Sequence, residues 1–273
     1  PIAENVEPLV YFLQLLFRKE NFRPGQLPIL NRALQNKSVI GLLPTGGGKS
    51  LTYQLAAMLQ PGVTVVIDPL KSLMEDQYDG LIRAGIDACT YINSELGPED
   101  RRRHEELVEN SNVIIAFMSP ERLCIYEFRE RLQNMHELGV YFSYGVIDEV
   151  HCVSEWGQDF RFSYLHLGRN LYSFVKAKEG EISLFGLTAT ASFDVLSDVE
   201  RELSGHGAFT LDPETIVRYE NSNRLELQYK IEKVDVEYEP ERYFNDHGLL
   251  YGYPLPVDPY NSRNSRENKS RCL

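Results

Sequence analysis

Two short stretches carry residue types whose spacing suits chemistry on a phosphate. The first is Leu42-Leu43-Pro44-Thr45-Gly46-Gly47-Gly48-Lys49-Ser50, which follows an apolar run and opens a stretch with helical spacing. Glycines let a backbone curl so that successive N–H groups face phosphate oxygens, and the helix N-terminus adds its positive dipole end. In that setting Thr45, Gly46, Gly47 and Gly48 form the cradle, Lys49 reaches the β- and γ-phosphates, and the Ser50 hydroxyl serves Mg²⁺. The strict pattern has glycine where Leu43 stands, so the match is partial. The second stretch, about a hundred residues later, is Val146-Ile147-Asp148-Glu149-Val150-His151. An apolar strand ending in Asp-Glu places two carboxylates at the edge where parallel sheets bind ligands. Asp148 would hold Mg²⁺, and Glu149 would orient and deprotonate an attacking water. His151, beside both motifs, is assigned a coupling role.

A sheet is needed to bring two such distant stretches together. Five apolar runs have the length of buried strands: Val39–Leu43, Val63–Asp68, Val113–Met118, Tyr144–Ile147 and Ile182–Leu187. Between them lie helical spacings at Leu51–Leu59, Ser72–Ala84, Pro98–Glu109 and Glu121–Leu138. This alternation predicts an α/β fold with a mostly parallel central sheet and helices on both faces. Tyr141, Phe142 and Tyr144 read as packing residues. Arg101-Arg102-Arg103, among Asp100, Glu105 and Glu106, reads as a solvated, salt-bridged helix face.

The 273 residues are 42% hydrophobic and 25% charged, an ordinary globular composition. The net charge of −12 argues against non-specific coating of nucleic acid but leaves room for a local basic groove. Cysteines at 89, 124, 152 and 272 form no C-x-x-C pair, so neither a cysteine-rich zinc site nor a disulfide framework is expected. No apolar run approaches membrane-spanning length, and the first residues lack the basic character of a signal peptide. The expectation is a cytoplasmic protein with no membrane partner, nucleoid-associated if bacterial.

Several further motifs are similar to those of the first motor domain of RecQ-like superfamily 2 DNA helicases, from about Phe17 to Gly205. Phe22-Arg23-Pro24-Gly25-Gln26 looks like the segment whose glutamine reads adenine; Gln26 matches it, with Arg23 near the base or phosphates. Pro44-Thr45-Gly46-Gly47-Gly48-Lys49-Ser50-Leu51-Thr52-Tyr53-Gln54 is similar to motif I, which in this family also lacks the first glycine. Pro69-Leu70-Lys71-Ser72-Leu73-Met74-Glu75-Asp76-Gln77 resembles motif Ia, implied to touch the DNA backbone. Serine is more usual at Asp68, whose charge would repel DNA if it faced it, while Lys71 would attract it. Ser119-Pro120-Glu121-Arg122-Leu123 resembles another backbone contact, with Ser119 the implied DNA residue. Asp148-Glu149-Val150-His151 resembles motif II. Leu187-Thr188-Ala189-Thr190-Ala191 resembles motif III, whose Thr188 and Thr190 hydroxyls are expected to bond the motif II carboxylates. Cys152-Val153-Ser154-Glu155-Trp156-Gly157-Gln158-Asp159-Phe160-Arg161 is similar to the aromatic-rich loop of RecQ-like enzymes. Its Trp156 and Phe160 would stack on unpaired bases and Arg161 would contact phosphate or nucleotide.

The resemblance implies a RecA-like P-loop fold over 1–207, an extension at 208–260 leading toward a second motor domain, and a polar, disordered tail at 261–273. The second motor domain is expected outside this chain, because the 83 residues after Thr190 are too few for one. The implied partners are ATP, Mg²⁺ and single-stranded or partly duplex DNA. The implied activity is ATP hydrolysis coupled to 3′–5′ unwinding in the full-length protein, with this chain alone slow and unable to unwind. Two alternatives stand beside it: a nucleotide-gated nucleic-acid-binding module with little catalysis, and an RNA helicase. A small-molecule kinase leaves Gln26, Trp156 and Thr188-Ala189-Thr190 unexplained.

Overall fold

The computed structural model describes residues 6–155, 164, 166–189 and 192–219. All of these belong to the first of two units of the chain, Pro1–Arg224. Strands β1 (Val39–Leu42), β2 (Val63–Ile67), β3 (Cys89–Ile92), β4 (Ile115–Met118), β5 (Phe142–Ile147), β6 (Ser183–Thr188) and β7 (Ile216–Arg218) form one sheet in the order β3-β4-β2-β5-β6-β1-β7. Every pairing is parallel. All strands therefore end at the same edge, which is where the loops carrying both phosphate-directed motifs emerge.

The central strands are buried on both faces, so their sequences are continuous apolar runs rather than alternating ones. Along β2, Val63, Val65 and Ile67 pack on one side and Val66 on the other. Helices α1 (Val6–Phe17), α2 (Gln26–Leu34), α3 (Lys49–Leu59) and α4 (Lys71–Arg83) cover one face through Leu9, Ile29, Leu30, Tyr53, Leu55, Met74 and Leu81. Helices α5 (Pro98–Glu109), α6 (Tyr126–Glu137), α8 (Leu167–Phe174) and α9 (Phe193–Leu203) cover the other through Val108, Leu132, Leu167, Leu171, Leu196 and Val199. The short helix α7 (Cys152–Glu155) follows β5. Local signals set several ends. Pro98 occupies the first turn of α5 with Glu99 and Asp100, which suit the positive end of the helix dipole. The Ser192 hydroxyl caps α9 by accepting from the Val195 amide at 3.3 Å.

The five expected strands are present. The helix expected over Glu121–Leu138 is divided: Pro120–Cys124 forms a 3₁₀ turn, Ile125 is extended, and α6 follows. Strand β7 lies beyond Gly207, the expected limit of the first domain, and pairs with β1 in the same sheet. Among the described residues, no helix is long and apolar enough to cross a membrane.

Candidate nucleotide site

The loop after β1 turns through Gly46 (φ 76°) and Gly48 (φ 77°), left-handed conformations that glycine adopts without a Cβ penalty. The Gly47 amide donates to the Pro44 carbonyl at 2.8 Å, and Gly48 caps α3. A Cβ at Gly48 would overlap the Gln26 amide nitrogen. Gln26 is itself buried at the start of α2. Its Oε1 accepts from the Arg23 amide at 2.7 Å, and its Nε2 donates to the carbonyls of Gly47 (3.1 Å) and Gly48 (3.0 Å). The Arg23 guanidinium donates to the Gly46 carbonyl. The segment expected to read adenine is thus stitched to the phosphate loop, and Gln26 spends its amide on loop carbonyls.

Strand β5 delivers the carboxylates. Asp148 is buried at the strand end, while Glu149 takes φ 47°, a left-handed turn that a non-glycine residue adopts only when its surroundings impose it. The turn brings Glu149 Oε1 within 3.1 Å of Lys49 Nζ, joining the two motifs. Glu149 Oε2 lies 3.4 Å from His151 Nδ1, which is 3.0 Å from the Thr188 hydroxyl at the end of β6. Motif III meets motif II here through the contact of Thr188 with the histidine. Burial alone would raise the Glu149 carboxyl, but His151 and Lys49 outweigh it and hold its pKa below the ordinary value. The Cys152 sulfur, 3.8 Å from Nε2, and then Glu149 raise the His151 pKa to about 10. Asp148 moves the other way: burial, then the Glu149 charge, raise its pKa against the hydrogen bonds it accepts.

Behind these residues lies a polar cluster that sequence reasoning did not assign. Asp68, fully buried at the end of β2, accepts from the Leu70 amide at 3.0 Å. Gln77 Nε2 on α4 reaches Asp148 Oδ2 at 3.1 Å and Asp68 Oδ2 at 3.5 Å. Gln77 Oε1 accepts from the Tyr53 phenol and from Gln54 Nε2 (3.4 Å), both on α3. Asp68 consequently faces the interior, not DNA, and burial with the Asp148 and Glu149 charges raises its pKa to about 7. The available signal was a polar residue closing an apolar strand, just as Asp148 closes β5.

The remaining site residues fall elsewhere. Ser119 is buried at the end of β4, two strands from β5, with its amide on the Ile92 carbonyl at 3.3 Å. In the same segment Arg122 turns inward to pair with Glu105 and lies over the Phe128 ring, 4.8 Å from its centroid. Lys71 pairs with Glu95 at 3.0 Å, and Thr45 is exposed. Trp156, Phe160, Arg161 and Thr190 lie outside the described residues. Among the described residues, no group of three or more His, Cys, Asp and Glu is arranged to hold a metal ion alone. Mg²⁺ habitually shares its ligands with substrate phosphates, and the buried Asp148 and the Ser50 hydroxyl at the start of α3 fit that mode.

A profile of the DEAD/DEAH box helicases matches residues 23–199. The chain is 41% identical over 212 residues to the ATP-dependent DNA helicase Q1 of Mus musculus, covering 74% of this chain and 32% of that protein. It is 32% identical over 277 residues to the ATP-dependent helicase SGS1 of Saccharomyces cerevisiae, covering 97% of this chain and 18% of that protein. The chain thus spans a third or less of the length of these relatives. The Mycobacterium smegmatis helicase Lhr, solved with ssDNA and AMP-PNP, aligns with a TM-score of 0.53 at 20% identity over 74% of this chain and 26% of that one, a likeness of fold. The profile match takes in the whole span from Arg23 through the phosphate loop to α9, and the relatives extend it, so the chain belongs to the DEAD/DEAH box helicase family and is homologous to its RecQ-type members over the first motor domain.

Proposed function

We propose that this chain is the ATP-hydrolysing first motor domain of a RecQ-type DNA helicase, acting in the full-length protein to couple hydrolysis to 3′–5′ unwinding. The observation that carries this reading is the Lys49–Glu149 contact of 3.1 Å, which joins a phosphate loop to a catalytic-type carboxylate at the C-terminal edge of a parallel sheet. Amides of Gly46–Ser50 bind the phosphates, and Lys49 turns from Glu149 to the β- and γ-oxygens. Glu149, relieved of its cation, becomes a stronger base and takes the proton of the attacking water. His151 senses that change and passes it to motif III through Thr188. Asp148 and Ser50 would hold Mg²⁺, which would supply positive charge against the phosphate oxygens.

The polarity is the one implied by the resemblance of the motifs to RecQ-like helicases, and an arginine finger from a second motor domain completes the site; such a finger is worth ~10³–10⁵ in rate in other NTPases. The cellular setting proposed is the cytoplasm, or the nucleoid in a bacterium. The polymer is tested by fluorescence anisotropy with labelled oligonucleotides of matched sequence, with and without AMP-PNP and Mg²⁺. Preference for single-stranded DNA that changes with nucleotide supports the reading; equal or stronger binding of RNA would replace DNA by RNA as the track.

A further inference from the structure

Gln77 hydrogen-bonds both to the helix behind the phosphate loop and to the carboxylate proposed to hold Mg²⁺. Its Nε2 donates toward Asp148 Oδ2 at 3.1 Å and Asp68 Oδ2 at 3.5 Å. Oε1 then receives the Tyr53 phenol and the Gln54 amide from α3. Asp148 is nearly inaccessible to solvent, and its other oxygen accepts the Glu149 amide at 3.0 Å. Both carboxylate oxygens are thus held, one by the backbone of the neighbouring catalytic residue and one by Gln77. The Gln77 bond is the only side-chain hydrogen bond to Asp148 among the described residues.

We propose that Gln77 is a positioning residue that sets the Asp148 carboxylate for the divalent ion, with Tyr53 fixing the orientation of the Gln77 amide. These bonds link α3, which opens from the phosphate loop, to Asp148, so metal and phosphate binding are coupled. The inference rests on the nucleotide site proposed above. Partners of a metal-binding carboxylate are typically worth 10–100-fold in metal affinity when removed.

The test uses the full chain and N-methylanthraniloyl-ATP, titrated in EDTA and in Mg²⁺, for the wild type, Gln77→Met and Tyr53→Phe. Gln77→Met should bind the probe in EDTA as the wild type does and lose about tenfold of the affinity gained with Mg²⁺. Tyr53→Phe, which keeps the ring and removes the phenol that bonds both Gln77 and Ser50, should lose a smaller part of the same gain. In a double-mutant cycle with Asp148→Asn, the two losses should not add. Equal loss in EDTA and Mg²⁺ would show a purely structural role and overturn the proposal, as would an unchanged Mg²⁺ gain in Gln77→Met. Failure of the wild type to bind the probe at all would instead overturn the nucleotide site itself, and the Gln77 role with it.

Discussion

Replacing Asp68 by asparagine should stabilise the protein at neutral pH and leave it nearly unchanged in acid. The carboxyl is fully buried beside Gln77 and within the fields of Asp148 and Glu149, and its pKa rises from 3.8 to about 7. A raised folded-state pKa means that the folded protein holds the proton more tightly than the unfolded chain. Below pH 3.8 the group is neutral in both states and costs nothing. Between pH 3.8 and about 7 the unfolded chain ionises first, so stability falls; above about 7 the full cost is present. A shift of roughly three units at ~1.4 kcal/mol each gives ~4 kcal/mol. Asparagine retains the oxygen that accepts the Leu70 amide, removes the charge and gives up only the long 3.5 Å contact from Gln77 Nε2. Urea unfolding of both proteins, followed by circular dichroism from pH 4 to 8, should show a gap that opens with pH and approaches that value above pH 7. A gap that is constant with pH, or that closes as pH rises, would refute the reasoning that Asp68 is a desolvated carboxylate.

Three other expectations follow from the packing and the site. Gly168→Ala should destabilise by ~1–3 kcal/mol in urea unfolding, because its Cβ would overlap the Glu202 carbonyl and force α8 away from α9. Glu105→Ala should cost ~3–5 kcal/mol by the same measurement, since it strands the buried Arg122 guanidinium and removes the Arg131 contact as well. His151, whose pKa rises from 6.5 to about 10, contributes stability that is full below pH 6.5 and lost as pH rises through about 10. His151→Gln should therefore flatten the fall in thermal midpoint between pH 7 and 10, and an unchanged slope would show that the histidine is not held as a cation by its neighbours.

What was legible in the sequence was whatever repeats a strong local rule. Strands β1, β2, β4, β5 and β6 are apolar because both faces of the sheet are covered, and the glycines before Lys49 announce a loop that needs left-handed turns. Strand β3 was missed because Cys89-Thr90-Tyr91-Ile92 is short, partly polar and at an edge. Strand β7 was missed because three residues carry no period. The break at Ile125 escaped notice because Pro120–Cys124 continues a helical apolar spacing while its backbone closes as a 3₁₀ turn. At the site, the meeting of the two motifs at one edge was legible from the apolar strands that precede them, but the direct Lys49–Glu149 pairing was not. Nor were the roles of Asp68 and Gln77, because a charge after a strand looks the same in sequence whether it faces solvent or a second carboxylate. Only the packing of α3 and α4 against β2 and β5 decides it.

The measurement that bears most directly on the central claim is ATP turnover by this chain at saturating Mg²⁺, with and without single-stranded DNA, against Lys49→Ala. Lys49 is the one described cation on Glu149 from the phosphate loop, so its loss removes both the phosphate ligand and the link between the motifs. Slow turnover that requires Lys49 is expected, with DNA raising it where the Trp156–Arg161 segment reports on DNA without a second motor domain. Turnover of equal rate in Lys49→Ala would contradict it, because hydrolysis would then be taking place at another site.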